Sequence, residues 1–173
     1  MTNKVGLLIS LILLCSSNIL AKQIETRGDP VALSSPGEYF MGPKWSPSGD
    51  QVAVGGASYT GLYLLDFPSG SVQQISNDYS AGYGFAWSHD GSRIASKISH
   101  FSKMRRSHTL VSFNVSDGSM TTLSSPRARM SGTPVWTDDD SQLYLTFVEQ
   151  FESFNTDDSK QEVALPALNY IKD

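Results

Sequence analysis

Three histidines, His89, His100 and His108, stand among abundant serines, so the parts of a serine nucleophile with a histidine base are present. Nothing in their spacing assembles them. His89 falls in a Ser-His-Asp-Gly turn and is expected to be solvated, and no serine sits in a Gly-x-Ser-x-Gly elbow. Asp138-Asp139-Asp140 and Asp157-Asp158 offer the hard oxygens that calcium takes, yet neither follows the Asp-x-Asp-x-Asp-Gly loop pattern. His100 and His108 lack the helical spacing of a zinc pair, and no cysteine supports them. The reading is therefore a non-enzymatic chain with no catalytic residue, no metal and no cofactor. Its notable chemistry is cationic: Lys103, Arg105 and Arg106 crowd one stretch, and Arg127 and Arg129 another, in a chain of net charge −4. That overall balance argues against a nucleic-acid partner.

The elements that must position these groups recur. Trp45-Ser46-Pro47-Ser48-Gly49, Trp87-Ser88-His89-Asp90-Gly91 and Trp136-Thr137-Asp138-Asp139-Asp140 each precede an apolar alternation, with the tryptophans 42 and 49 residues apart. Strand, tight turn and strand make a β-hairpin. A second hairpin follows each: Leu62–Phe67 with Val72–Ile75, Leu110–Val115 with Met120–Leu123, and Phe151–Phe154 with Glu162–Leu165. No helical period appears after residue 22. Units of four short strands and about 40–45 residues are the sequence form of propeller blades. The expected fold is all-β: a partial β-propeller of three four-stranded antiparallel blades, at approximately 43–83, 84–132 and 133–173, after a segment 22–42.

Val31-Ala32-Leu33-Ser34-Ser35-Pro36 matches Thr122-Leu123-Ser124-Ser125-Pro126, which predicts an extra outer strand ahead of the first blade. Three blades do not close a ring, since propellers use about four to eight. The expectation is the N-terminal part of a larger propeller, or else a chain that completes a ring by self-association.

The repeat residues Trp45, Trp87, Trp136, Gly49, Gly91 and Asp90 are read as architecture, the indoles packing between blades and the Gly and Asp residues making the turns. Function is sought where the rhythm breaks. From Trp to the end of the fourth strand takes 30, 36 and 29 residues in the three repeats. The excess lies at Ser99–His108, read as a long loop on the face that carries the connectors between blades. Lys103, Arg105, Arg106, Arg127 and Arg129 should gather there, beside Tyr39, Phe40, Tyr79 and Tyr83. Cations beside aromatics suit an anionic peptide, a polyanionic glycan or an acidic protein partner.

Pro43-Lys44-Trp45-Ser46-Pro47-Ser48-Gly49 and its two sisters resemble the Pro-x-Trp-Ser-Pro-Asp-Gly repeat of TolB-like (WD-like repeat) propellers. Ser48 replaces Asp, His89 replaces Pro, and Asp140 stands where Gly is usual. The resemblance covers roughly 30–170 and implies the fold. Related blades occur in envelope scaffolds, and in the gating propellers of prolyl-oligopeptidase-type peptidases, whose hydrolase motif is missing here. A protein- or ligand-binding scaffold is thus the first expectation. A peptidase propeller without its hydrolase domain, and a glycan- or calcium-binding module, are the alternatives.

Lys4, the apolar run Val5–Leu14 and the small Ala21 make residues 1–21 a secretory signal, too short to span a bilayer of about 20 apolar residues. A periplasmic or secreted location follows, with an envelope or extracellular protein partner. Lipidation at Cys15 is disfavoured by the bulky Leu14 before it. Cys15 is the single cysteine, so the mature chain would be held by packing without disulfides. Asn114-Val115-Ser116 is a glycosylation sequon that acts only in a eukaryotic secretory pathway.

Overall fold

The structure, a computed structural model, describes residues 29–147, 150–156 and 162–165. The signal segment expected at 1–21, the Asp157-Asp158 pair and the tail from Pro166 lie outside these residues. Three antiparallel sheets of four strands follow one another along the chain. The first blade holds β1 (Met41–Trp45), β2 (Gln51–Gly55), β3 (Leu62–Asp66) and β4 (Val72–Ser76). The second holds β5 (Ala86–Trp87), β6 (Arg93–Ser102), β7 (Arg105–Asn114) and β8 (Met120–Thr122). In the third, β9 (Val135–Trp136), β10 (Gln142–Phe147), β11 (Gln150–Asn155) and β12 (Glu162–Leu165) repeat the order. Apart from one 3-10 turn at Ala57–Tyr59 the described residues are strand and loop. No helix among them is long and apolar enough to cross a membrane.

Alternation along the strands gives the first and second blades two apolar faces each. Ala53, Leu62 and Leu64 of the first blade pack with Ile94, Ile98, Val111 and Phe113 of the second. The opposite face of the second blade, with Ala95 and Leu110, meets Trp136, Leu143, Leu145 and Phe154 of the third. Cores therefore lie between blades, and a blade alone would leave both faces wet.

The tryptophans clasp these seams. The Trp87 indole donates to the Lys44 carbonyl at 3.1 Å, and the Trp136 indole donates to the Ala86 carbonyl at 3.0 Å. In each case the acceptor is the residue just before the preceding blade's tryptophan. Trp136 is 5 % exposed and lies under the Arg93 guanidinium, 4.8 Å from its ring centroid. Trp87 is half-buried, while Trp45 is 54 % exposed and rests edge-on against Phe67. The expected packing between blades thus fails for Trp45: among the described residues no sheet precedes its own, so it has no carbonyl to reach.

The expected outer strand at Val31–Leu33 is likewise absent from the sheets. The first blade is already complete with its own β4, and the side chain of Leu33 packs instead with Phe40 and Tyr63 over Val52, Val54 and Leu65. The Ser99–His108 excess is also not a loop. It lengthens β6 and β7 to ten residues each, joined by Lys103-Met104. Both turn residues take positive φ, 43° and 65°, as a two-residue hairpin connection requires.

Each Trp-led turn is built alike. The hydroxyls of Ser46, Ser88 and Thr137 accept from the amides of Gln51, Arg93 and Gln142 at 3.1, 2.9 and 3.0 Å. Gly49 and Gly91 supply the left-handed residue, with φ 77° and 74°, and Asp140 takes that place in the third blade at φ 56°. The cost of that conformation for a non-glycine is offset across the seam. The Asp140 carboxylate accepts from the amides of His89 and Asp90 at 2.8 and 2.9 Å and pairs with His89 Nδ1 at 2.9 Å. The corresponding contact between the first two blades is plain packing of Pro47 on Gly91. Two of the departures from the repeat motif, His89 and Asp140, thus answer one another. Burial pushes the Asp140 carboxyl up, but the His89 and Asp90 amides and the imidazole outweigh it and leave it below the usual range. The Asp140 hydrogen bond raises His89 above its ordinary value.

Truncating Trp136 to Ala is expected to cost about 3–5 kcal/mol, Trp87→Ala less, and Trp45→Ala under about 1.5 kcal/mol, following burial. Chemical denaturation of the three variants checks the order. A raised histidine pKa stabilises fully below about 6.5 and loses that contribution as pH climbs through the higher folded value. The melting-temperature gap between the parent and His89→Asn is accordingly expected to be wider at pH 6 than at pH 8.5. A gap that stays constant across that range contradicts the ionic pairing.

Candidate binding site

Three kinds of segment converge on one face of the blades: the β2–β3 turn, the β4–β5 connector and the long β6–β7 hairpin, with the β8–β9 connector alongside. Glycine permits their closeness. A Cβ on Gly82 would lie 2.3 Å from the Gly55 Cα, and one on Gly55 would lie 2.7 Å from the Gly82 carbonyl oxygen. The connector therefore crosses the end of β2 backbone to backbone. Amides fix the crossing, Gly61 donating to the Asp78 carbonyl at 2.9 Å and Gly82 to that of Tyr59 at 3.2 Å. This brings Tyr59 and Tyr83 edge to face, centroids 5.0 Å apart.

Beneath these rings lies a cavity of about 660 Å³ whose lining includes Lys97, Arg106 and His108, and no acidic residue among the described ones. Strand register explains the grouping. Lys97, Ser99 and Phe101 alternate onto one face of β6, opposite Leu110, His108 and Arg106 of β7. Lys97 is 4 % exposed, and its amine donates to the carbonyls of Met130, at 3.3 Å, and Gly132. It also sits 5.8 Å from the Tyr83 ring centroid. Burial lowers its pKa. Arg106 donates to the Ser80 hydroxyl at 2.7 Å and to that of Ser99 at 3.0 and 3.1 Å, and its guanidinium lies 5.7 Å from the Phe101 centroid. His108 Nδ1 meets the Ser99 hydroxyl at 3.0 Å. Burial first, then the charges of Arg106, Lys97 and His100, hold this imidazole below its ordinary pKa.

The expected binding residues divide. Arg106 and Tyr83 line the cavity. Exposed Tyr79 stacks edge-on against Phe101 at 5.3 Å on the same hairpin. Lys103 and Arg105 stand exposed at the hairpin tip, and Arg129 is exposed on the β8–β9 connector. Tyr39 is 77 % exposed on the segment before β1 and takes no part in the cavity lining. Arg127 is committed elsewhere: it grips both oxygens of Glu152 at 2.6 and 2.7 Å, and its backbone bridges His108. Glu152 is 6 % exposed, so this bidentate pair joins the connector to the third blade.

Sequence reasoning missed Lys97 and Tyr59 and gave His108 no part in binding. The signal for Lys97 was a cation in the alternation Ala95, Lys97, Ser99, where a strand face should be apolar or small. The acidic turn residues carry a local role. Asp139 accepts from Thr137 and Ser141, whose bonds draw its pKa down to about 2, and Asp90 holds Ser88 and Ser92 in the same manner.

No protein-family model matches the chain, and no curated protein matches it. Solved structures do. TolB from Acinetobacter baumannii superposes with TM-score 0.58 at 14 % identity, over 77 % of this chain and 33 % of that one. The acylaminoacyl peptidase of Pyrococcus horikoshii gives 0.55 at 11 %, over 73 % and 24 %. The tricorn protease gives 0.54 at 12 %, over 66 % and 11 %. These are propeller structures, and at such identities the likeness is one of fold. The chain spans a third or less of the length of these three.

Replacing Glu152 by Gln removes the carboxylate from the half-buried Arg127 guanidinium and is expected to lower stability by about 2–3 kcal/mol. Arg129→Gln, on an exposed position, should stay within about 0.5 kcal/mol. Paired denaturant titrations check both.

Proposed function

We propose that this chain is a non-enzymatic β-propeller scaffold, exported to the periplasm or secreted, that binds an acidic protein partner through the face bearing the β6–β7 hairpin. The observation that carries the reading is an imbalance of charge. Lys97, Arg106 and His108 line one cavity, Lys103, Arg105 and Arg129 stand exposed on the neighbouring hairpin tip and connector, and no acid among the described residues lines that cavity. Such a surface favours anionic partners and steers their approach. The exposed Phe101 and Met104 add apolar contact area at the same tip, the composition expected at the centre of a protein interface. Export rests on the apolar run Val5–Leu14 and the small Ala21.

Immobilised protein is expected to retain an acidic envelope protein at about 50 mM salt and to release it at about 300 mM, as screened charge attraction does. The triple variant Lys103→Gln, Arg105→Gln, Arg129→Gln should lose that capture, with its melting temperature unchanged. Equal recovery by the variant contradicts the proposed face. Sequencing of the exported protein should find Lys22 as the first residue; a retained residue 1 contradicts the signal reading.

A further inference from the structure

The cavity has a chemistry of its own, distinct from the charged rim around it. Its two cations and its imidazole are oriented by neutral groups: Lys97 by two carbonyls, Arg106 by the Ser80 and Ser99 hydroxyls, and the His108 ring by the Ser99 hydroxyl. Dipoles of this kind aim a charge without cancelling it. The seam cation Arg127 is satisfied differently, by the Glu152 carboxylate. We propose that the cavity is a binding site for an oxyanion, a carboxylate or phosphate group seated among Lys97, Arg106 and His108, on a ligand whose body lies against Tyr59 and Tyr83.

The inference rests on the reading of this face as a binding surface and names the chemistry of its deepest part. Three features support it. A volume of about 660 Å³ falls within the range of small-ligand sites, roughly 300–1,000 Å³. Lys97 and Arg106, grouped without an acid in the lining, repel one another, and an oxyanion relieves that repulsion while accepting their remaining donor hydrogens. The lengthened hairpin is what carries Arg106 to the site, because β6 and β7 run to ten residues and pair Phe101 with Arg106 near their ends. The Tyr59–Tyr83 pair, fixed by the Gly55–Gly82 crossing, offers aromatic surface beside the charge.

Isothermal titration of the purified chain with citrate, inorganic phosphate and a hexaglutamate peptide tests the site. At least one probe is expected to saturate at one per chain. Arg106→Gln should weaken that binding about tenfold or more, the loss of one charge-assisted contact. Lys97→Met should do the same provided circular dichroism shows it folded, and Arg106→Gln, on an exposed strand end, serves alone if it does not. Tyr39→Ser, on the exposed segment before β1 and outside the cavity lining, should change affinity by less than about twofold. Saturation by citrate or phosphate identifies a free small anion as the source, and saturation by the peptide alone identifies an acidic polypeptide segment. No saturable binding by any probe overturns the inference, as does equal weakening by Tyr39→Ser and Arg106→Gln. If the probes fail while the acidic partner is still captured, the oxyanion site falls and the wider binding face stands.

Discussion

The structure depends on an indole N–H reaching a backbone carbonyl one blade upstream. A buried indole donor must be satisfied, and a carbonyl already engaged in its ladder keeps a second lone pair. Trp87 uses Lys44 and Trp136 uses Ala86, so the same bond recurs at both seams of the described chain. It pins the innermost strand of each blade to that of its neighbour while Leu, Ile and Phe side chains fill the space behind. Because the core lies between sheets, the stability of each blade is a property of its contacts with the next, in the manner of repeat arrays.

The cavity rides on this framework. Pinning the inner strands at one end of the blades leaves connectors and β2–β3 and β6–β7 turns to meet at the other. Lys97 shows the dependence most directly. It belongs to the second blade, yet its amine is held by carbonyls of the connector that enters the third. Arg127 and Glu152 secure the same connector from its other side. Two cations thus serve position before any ligand is considered, and they sit at the junction where a ligand would sense the spacing of two blades.

The blade pattern was legible because hairpin chemistry is local. A Ser or Thr hydroxyl taking the amide five residues on, and a left-handed residue four after the Trp, are written into a few consecutive positions. The face that gathers Arg106, Tyr83 and the hairpin tip was also legible, since strand counting alone says which turns emerge together. What escaped was set by tertiary context. Trp45 carries the same motif as its sisters, and only the absence of a sheet before it among the described residues leaves it exposed. Leu33 resembles Leu123 in its surroundings, yet the open apolar face of the first blade recruits it for packing instead of pairing. The Ser99–His108 excess has the polarity of a loop, and its extension as strand depends on pairing across ten residues. Lys97 reads as a surface residue until its strand is placed facing the third blade.

The pairing of His89 with Asp140 has a consequence for how such a chain can change. One residue lies in the turn of the second blade and the other in the turn of the third, and each departs from the repeat at the position that touches the other. A blade lifted out and replaced by a copy of its neighbour would set imidazole against glycine or leave a carboxylate facing proline. These repeats have become individuals with a fixed order. The unit that could be duplicated or exchanged without loss is the boundary between two blades, carried with half of each.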